Sequence, residues 1–365
     1  MKNKFLKTIF VAFIAVLTFS CDNKDDNTEV IVPKKSILDI AKADPNFSIL
    51  VAAIKKAGLD APGASPLSSA GSFTVFAPTN AAFAASLPTY TEAYINGLTA
   101  ATDASTIAGL KQILLNHILS GAVKSGDITD KSYVRTFAQY NNSSTTLSMF
   151  IRSNAGVILN GGDTNGGAKV VSADIVANNG VIHVLDRVLA LPTIVSQLKA
   201  NPDQFSTLVN VVSSVAGGAF GDQTAVLGVL NGALGGSATA LTVYAPTNSA
   251  FTTATVTGGF LTDPLLFGSP ALLDVNIAKV LKYHVQTNNF PASTSTSFSN
   301  ATATADQTVT TLSTQKFKLL KLTLNITEDL LQTNVLPTDS KATLLNIQAS
   351  NGVIFGISRV LKPVL

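Results

Sequence analysis

Ser72-Phe-Thr-Val-Phe-Ala-Pro-Thr-Asn80-Ala-Ala-Phe83 recurs 168 positions later as Ala240-Leu-Thr-Val-Tyr-Ala-Pro-Thr-Asn248-Ser-Ala-Phe251, with seven of the final nine residues identical. In each copy a β-branched and aromatic run, Thr74-Val-Phe76 or Thr242-Val-Tyr244, suits a short buried strand. Pro78 and Pro246 then remove a backbone donor, so strand pairing has to stop there. Thr79 or Asn80, and Thr247 or Asn248, supply a cap for a helix that starts immediately afterwards. The reading is a strand-to-helix corner, present twice.

Other landmarks repeat in the same order. Asp44-Pro-Asn-Phe47-Ser-Ile-Leu50 answers Asn201-Pro-Asp-Gln-Phe205-Ser-Thr-Leu208, each placing a capping residue before a proline at the first helical position. Leu114-Leu-Asn-His117 answers Val280-Leu-Lys-Tyr283-His284. Asn179-Gly180-Val-Ile-His183-Val-Leu-Asp-Arg187-Val-Leu189 answers Asn351-Gly352-Val-Ile-Phe355-Gly-Ile-Ser-Arg359-Val-Leu361. The offset drifts only from 158 at the first phenylalanine to 172 at the last glycine, so the second half is a copy of the first. A chain of 365 residues exceeds one ordinary core, and duplication divides it into domains at 36–192 and 193–365.

Composition is globular, with 46% apolar residues and only 13% charged ones. Lys2, Lys4 and Lys7 account for the formal charge of +3, since without them 22 basic residues face 22 acidic ones. Such a balanced chain lacks the basic footprint of a nucleic-acid binder. The basic start followed by Thr8–Ser20, apolar and short, reads as a signal peptide over 1–20. Cys21, the sole cysteine, follows a small residue and is expected to carry lipid after cleavage. Residues 21–35 then form a disordered tether, and Lys24-Asp25-Asp26 within it is similar to an export signal of Gram-negative lipoproteins. The expected location is the outer membrane, facing the exterior.

The four landmarks together resemble the fasciclin (FAS1) domain family. Thr-Val-Phe-Ala-Pro-Thr-Asn-x-Ala-Phe matches its first signature, the Tyr283-His284 pair its middle one, and Asn-Gly-Val-Ile-His-x-x-Asp-x-Val-Leu its last. The resemblance spans about 36–365 and implies an α+β fold: two tandem domains, each a small β-sandwich or wedge of about seven strands packed with helices. It also implies adhesion or matrix-type contacts rather than catalysis.

The residues themselves agree with a structural role for the motifs. His117 lies at helical spacing with Ile107, Leu110 and Leu114, as does His284 with Ile277, Val280 and Leu281, so both imidazoles belong to apolar stripes and need hydrogen-bond partners. The Asn179-Gly180 and Asn351-Gly352 pairs sit between apolar runs, as type I′ hairpin turns do. His183 is matched by Phe355, so imidazole chemistry is not required there. No catalytic group, metal site or cofactor is expected: Glu occurs only at 29, 92 and 328, the three histidines lack zinc-ligand spacing, and Asp163-Thr-Asn165 lacks the carboxylates of a calcium loop.

Two binding functions follow. The first is a non-enzymatic adhesion protein whose partner is a protein or glycan at the cell surface, met through loops that differ between the copies, among them 139–146, 161–167, 217–222 and 293–304. The alternative is a glycan- or small-molecule-binding lipoprotein of a nutrient-uptake system, with a groove between the domains or beside the polar loops. That alternative needs an aromatic platform, for which Tyr133, Tyr140 and Phe150 are the candidates.

Overall fold

The computed structural model describes residues 35–363 except 62, 64–66, 68–70, 140–143, 215–229, 231–240, 254–272, 288–306, 321–324 and 328–338. The signal, lipidation and tether readings, Tyr140, and the loops at 217–222 and 293–304 lie outside the described residues. Lys35–Leu365 forms one compact unit that contains both copies.

The first copy opens with α1 (Ile37–Ala43), a 3₁₀ turn at Pro45–Phe47 and α2 (Ser48–Lys56). Ser36 and Asp39 cap α1 reciprocally, and the Asp44 carboxylate accepts the Asn46 amide at the proline-led turn. After β1 (Phe73–Pro78) come α3 (Asn80–Ser86), α4 (Glu92–Gly97) and α5 (Ala104–Leu115). The strands β2 (Ile118–Ser120), β3 (Ser132–Gln139), β4 (Thr146–Arg152), β5 (Ile158–Leu159), β6 (Ala168–Ala177) and β7 (Gly180–Leu185) complete it. These seven strands hydrogen-bond in sequence order and close into a barrel, because β1 pairs antiparallel with β2 and parallel with β7.

Alternation along β1 divides the core in two. Val75 and Ala77 join the helix-side cluster with Leu50, Phe83, Leu110 and Leu114, whereas Phe76 joins Met149, Leu159 and Leu185. Phe76 is wholly buried, which stabilises the fold by roughly 2–3 kcal/mol from apolar transfer alone.

The second copy repeats the plan. It comprises α6 (Ile194–Ala200), α7 (Pro202–Ser214), β8 (Leu241–Pro246), α8 (Asn248–Thr253) and α9 (Leu273–Tyr283). Its later strands are β9 (Val285–Thr287), β10 (Gln307–Thr310), β11 (Lys316–Leu320), β12 (Asn325–Thr327), β13 (Ser340–Ala349) and β14 (Gly352–Ile357). Their order is β10-β11-β12-β13-β14-β8-β9, with β14 and β8 again parallel. Val243 and Ala245 face the helix-side core, and Tyr244 faces Phe317 and Phe355, as the alternation in β1 requires of its counterpart.

The closing hairpins differ from the type I′ expectation by one residue. Ala177 pairs with Gly180 and Ala349 with Gly352, so the turn residues are Asn178-Asn179 and Ser350-Asn351. None of these four has positive φ, which excludes type I′. Each glycine begins the return strand instead, at φ 150° and 155°. A Cβ on Gly180 would lie 1.9 Å from the Phe73 carbonyl oxygen, and one on Gly352 would lie 2.2 Å from that of Leu241. Glycine is required by the close approach of the parallel neighbour, a constraint that no local turn rule contains.

Candidate functional site

The motif residues are tied into the fold by hydrogen bonds that repeat from copy to copy. Thr79 is the N-cap of α3, accepting the Ala82 amide at 3.2 Å. Asn80 does something else: its Oδ1 accepts the Ile49 amide at 3.0 Å while its Nδ2 donates to the Pro45 carbonyl and to Ser48 Oγ. Asn248 likewise accepts from the Thr207 amide at 2.9 Å and donates to Pro202, Asp203 and Ser206. Asn80 therefore caps α2, whereas Asn248 grips α7 at Thr207, six residues in, and each asparagine pins its neighbouring helix to the corner. Thr247 donates to or accepts from Ser249 and reaches the Ile357 carbonyl, closing its corner against β14.

Asn179 and Asn351 perform a second shared task. Each Oδ1 accepts the first amide of the leading helix, Ile37 or Ile194, at 2.9 Å. Their Nδ2 groups donate to the Leu67 and Leu230 carbonyls. The hairpin tip thus anchors the first helix of its own domain across more than a hundred residues of chain.

His117 and His284 are buried and fully engaged. Nδ1 lies 2.7 Å from the carbonyl four residues back, Ile113 or Val280, and Nε2 accepts the amide of Leu189 or Leu361 at 2.9 Å. That pattern fixes the neutral tautomer with the proton on Nδ1. Burial pulls both imidazoles down to a pKa of about 4, the carbonyl hydrogen bond opposing it. Neither ring has a nitrogen left for a substrate or metal. Tyr283, beside His284, donates from its hydroxyl to the Lys316 carbonyl at 2.9 Å.

Ser125, Asp174 and His183 lie together, but not in the order of a catalytic triad. Ser125 donates through both amide and hydroxyl to Asp174, at 2.7 and 2.5 Å. The Asp174 carboxyl is held below its usual range mainly by the Ser125 hydroxyl. His183 Nδ1 accepts the Asp174 amide, and its Nε2 contacts the Val123 carbonyl at 3.0 Å, so the ring never reaches the serine. The cluster clamps the segment after β2 onto the β6–β7 hairpin. Among the described residues no group of three or more His, Cys, Asp or Glu is arranged to hold a metal ion.

For Tyr133 and Phe150, two of the three residues expected to form an aromatic platform, the structure corrects the expectation. Phe150 is completely buried, and Tyr133 packs on it with ring centroids 4.8 Å apart while joining the core of the second domain. Neither offers an exposed face to a sugar. Nothing in the local sequence around Tyr133 announces the second domain that packs against it.

What covers them is the joint between the copies, which sequence reading missed. The Asn201 amide group donates to the Tyr133 hydroxyl at 3.4 Å, whose ionisation burial makes harder still. The Gln348 backbone N–H donates to Ser148 Oγ at 2.9 Å, and the Gln197 side chain donates to the Ser148 carbonyl. Arg135 bridges the Thr146 and Asn346 carbonyls at 2.6 and 2.7 Å. Asp203 receives Lys131 at 2.7 Å and Arg152 at 2.9 Å, and the Lys131 bond leads in holding its carboxyl low. The loop 161–167, expected to bind a ligand, also serves the joint: Asn165 donates to the Ser196 carbonyl, and a Cβ on Gly161 would lie 3.1 Å from Ala200 Cα. The available signal was Ser148, a polar residue inside the apolar run Leu147-Ser-Met-Phe-Ile151.

The first domain has a cleft of about 470 Å³ beside this loop, with Leu87, Ile113, Val188 and Leu191 among its apolar lining and Asp163 and Arg187 among its polar lining.

Fold and motifs define a tandem pair of one α+β module whose shared polar groups are bonded into the fold in both copies. The family model for the fasciclin domain matches residues 45–192 and again 203–363. The chain belongs to the fasciclin-domain family. Protein sll1483 of Synechocystis is 33% identical over 162 residues, covering 43% of this chain and 74% of that one. A second Synechocystis protein, the uncharacterized sll1735, is 32% identical over 43% of this chain and 98% of its own length. The transforming growth factor-beta-induced protein ig-h3 of Sus scrofa is 34% identical over 44% of this chain, which is only 20% of that protein. Among solved structures, a FAS1 domain pair from the insect cell adhesion molecule Fasciclin I aligns over 86% of this chain and 96% of its own at 16% identity, with a TM-score of 0.43.

Proposed function

We propose that this chain is a non-enzymatic adhesion protein, held at the outer membrane by lipid on Cys21 with its two fasciclin domains facing the exterior. The observation that carries the reading is the duplicated fasciclin module packed into one compact unit. Fasciclin domains are adhesion-type domains, and a pair fixed by a joint presents one extended surface whose weak contacts add. The partner is a protein or glycan on another surface. Retention of matrix polysaccharides or surface proteins by the immobilised chain, with loss on denaturation, tests adhesion; globomycin-sensitive processing and labelling of Cys21 by radioactive palmitate test the anchor. Unlipidated Cys21 sinks the anchor, and a chain that retains no surface component sinks the adhesion reading.

A second reading, binding of glycan or another small molecule at the cell surface, is favoured by the cleft on the first domain. Its size falls within the range of about 300–1,000 Å³ typical of ligand sites.

A further inference from the structure

The cleft of the first domain joins an apolar floor to one pair of charges. Arg187 and Asp163 both line it, with Nη2 3.8 Å from Oδ2 and side chains 35% and 46% exposed. Arg187 gives one N–H to the Ala85 carbonyl at 3.2 Å, out of the five that a guanidinium carries. Asp163 accepts the Thr164 amide through Oδ1, and Oδ2 is the oxygen beside the arginine. The two charges cancel, so the site has no net pull on an ion of either sign. What it offers is a donor and an acceptor a few ångströms apart, over a floor of Leu87, Ile113, Val188 and Leu191.

Adjacent hydroxyls on a ring match that pair, because each hydroxyl both donates and accepts. The C–H face of a pyranose matches the floor, where a ligand carrying charge of one sign only would leave one member of the pair unanswered. We infer that this cleft is a subsite for one neutral saccharide unit, with vicinal hydroxyls bridging Arg187 and Asp163. The inference rests on the second reading above and gives it a place in the molecule. Its position differs from the aromatic platform that Tyr133 and Phe150 fail to provide.

Saturation-transfer NMR on the full chain with the methyl glycosides of glucose, galactose, mannose and fucose tests it, with benzoate as the anionic comparator and leucine, a zwitterion able to answer both charges, as the rival ligand. At least one glycoside should bind saturably while leucine and benzoate do not. Ala85→Trp, which places an indole into the cleft from an exposed position, should abolish that binding without moving the melting midpoint. Arg187→Lys keeps the charge but loses the fork, and should weaken binding about tenfold; it serves if Ala85→Trp does not fold. Glycoside binding that survives both substitutions overturns the cleft and leaves the glycan reading standing elsewhere. No saturable binding of any glycoside overturns the cleft as well as its neutral-sugar chemistry, and preferential binding of leucine or benzoate does the same while leaving a small-molecule reading.

Discussion

Strand β6 of the first domain and β13 of the second occupy the same place in the repeat, yet Val176 is 58% exposed and its counterpart Gln348 is 1% exposed. Both strands carry the same irregularity, a residue at positive φ, Asp174 at 64° and Asn346 at 59°, where the register with the return strand shifts. In the first domain the bulge holds Ser125 through Asp174. In the second the bulge carbonyl receives Arg135 of the first domain, and Gln348 meets Ser148. Val171 is similarly exposed, at 62%, in the uncovered strand. Duplication has preserved the backbone device and the core, while the outward side chains have been respecified by what each face touches. The face that meets the first domain carries a buried glutamine whose backbone N–H donates to Ser148 and whose Nε2 donates to Asn346 Oδ1, and the exposed face carries valine.

The largest expected effects strike what the two copies share. Gly180→Ala and Gly352→Ala should each destabilise their own domain by about 4 kcal/mol or more, since the new methyl must displace the carbonyl of a parallel neighbour. Calorimetry of the full chain should show this; a midpoint within a degree or two of wild type would break the claim that the return strand dictates glycine.

Acid should act next, and on both domains together. His117 and His284 stay neutral in the fold down to a pKa of about 4, whereas an unfolded imidazole titrates near 6.5. Below 6.5 the unfolded chain takes up protons that the folded chain refuses. Their contribution is therefore complete above that value and falls away as pH drops towards 4, by roughly 3 kcal/mol for each histidine. Urea unfolding between pH 7 and 4 measures it, and NMR titration of either ring at an ordinary pKa would contradict it.

A smaller pair of substitutions sharpens the contrast between faces. Gln348→Lys should cost about 2 kcal/mol by burying an amine under the first domain, while Val176→Lys at the equivalent exposed place should change stability by less than about 0.5 kcal/mol. Equal effects at the two positions would mean that the joint does not cover β13. Asp203→Asn should have the least consequence, a slight downward shift in the second domain's midpoint that vanishes in high salt, because its partners Lys131 and Arg152 are partly exposed.

Much of this molecule could be read in its residues. The strand that ends at Pro78 or Pro246, the cap at Thr79, and the apolar stripes leading to His117 and His284 are local patterns, each enforced by backbone sterics or helical period within a few positions. Repetition of those patterns fixed the family and the number of domains. Asn80 was legible as a polar residue at a helix start, but not as the cap of a different helix, because its partner Ile49 lies 31 residues away. A still longer separation hid the reason for Gly180, which meets the Phe73 carbonyl on the paired neighbouring strand.

Short-range order in the chain thus set the strands, the caps and the duplication, since the forces that make them act between near neighbours. Which faces are buried was settled only when the barrel closed and the second domain packed on the first. Phe150, a candidate for an exposed platform, is core and Tyr133 is packed against the second domain, Val176 and Gln348 hold one repeat position and see opposite surroundings, and the Arg187–Asp163 cleft joins residues from separate loops. Burial is a property of what arrives from elsewhere in the chain, and no window of sequence contains its own cover.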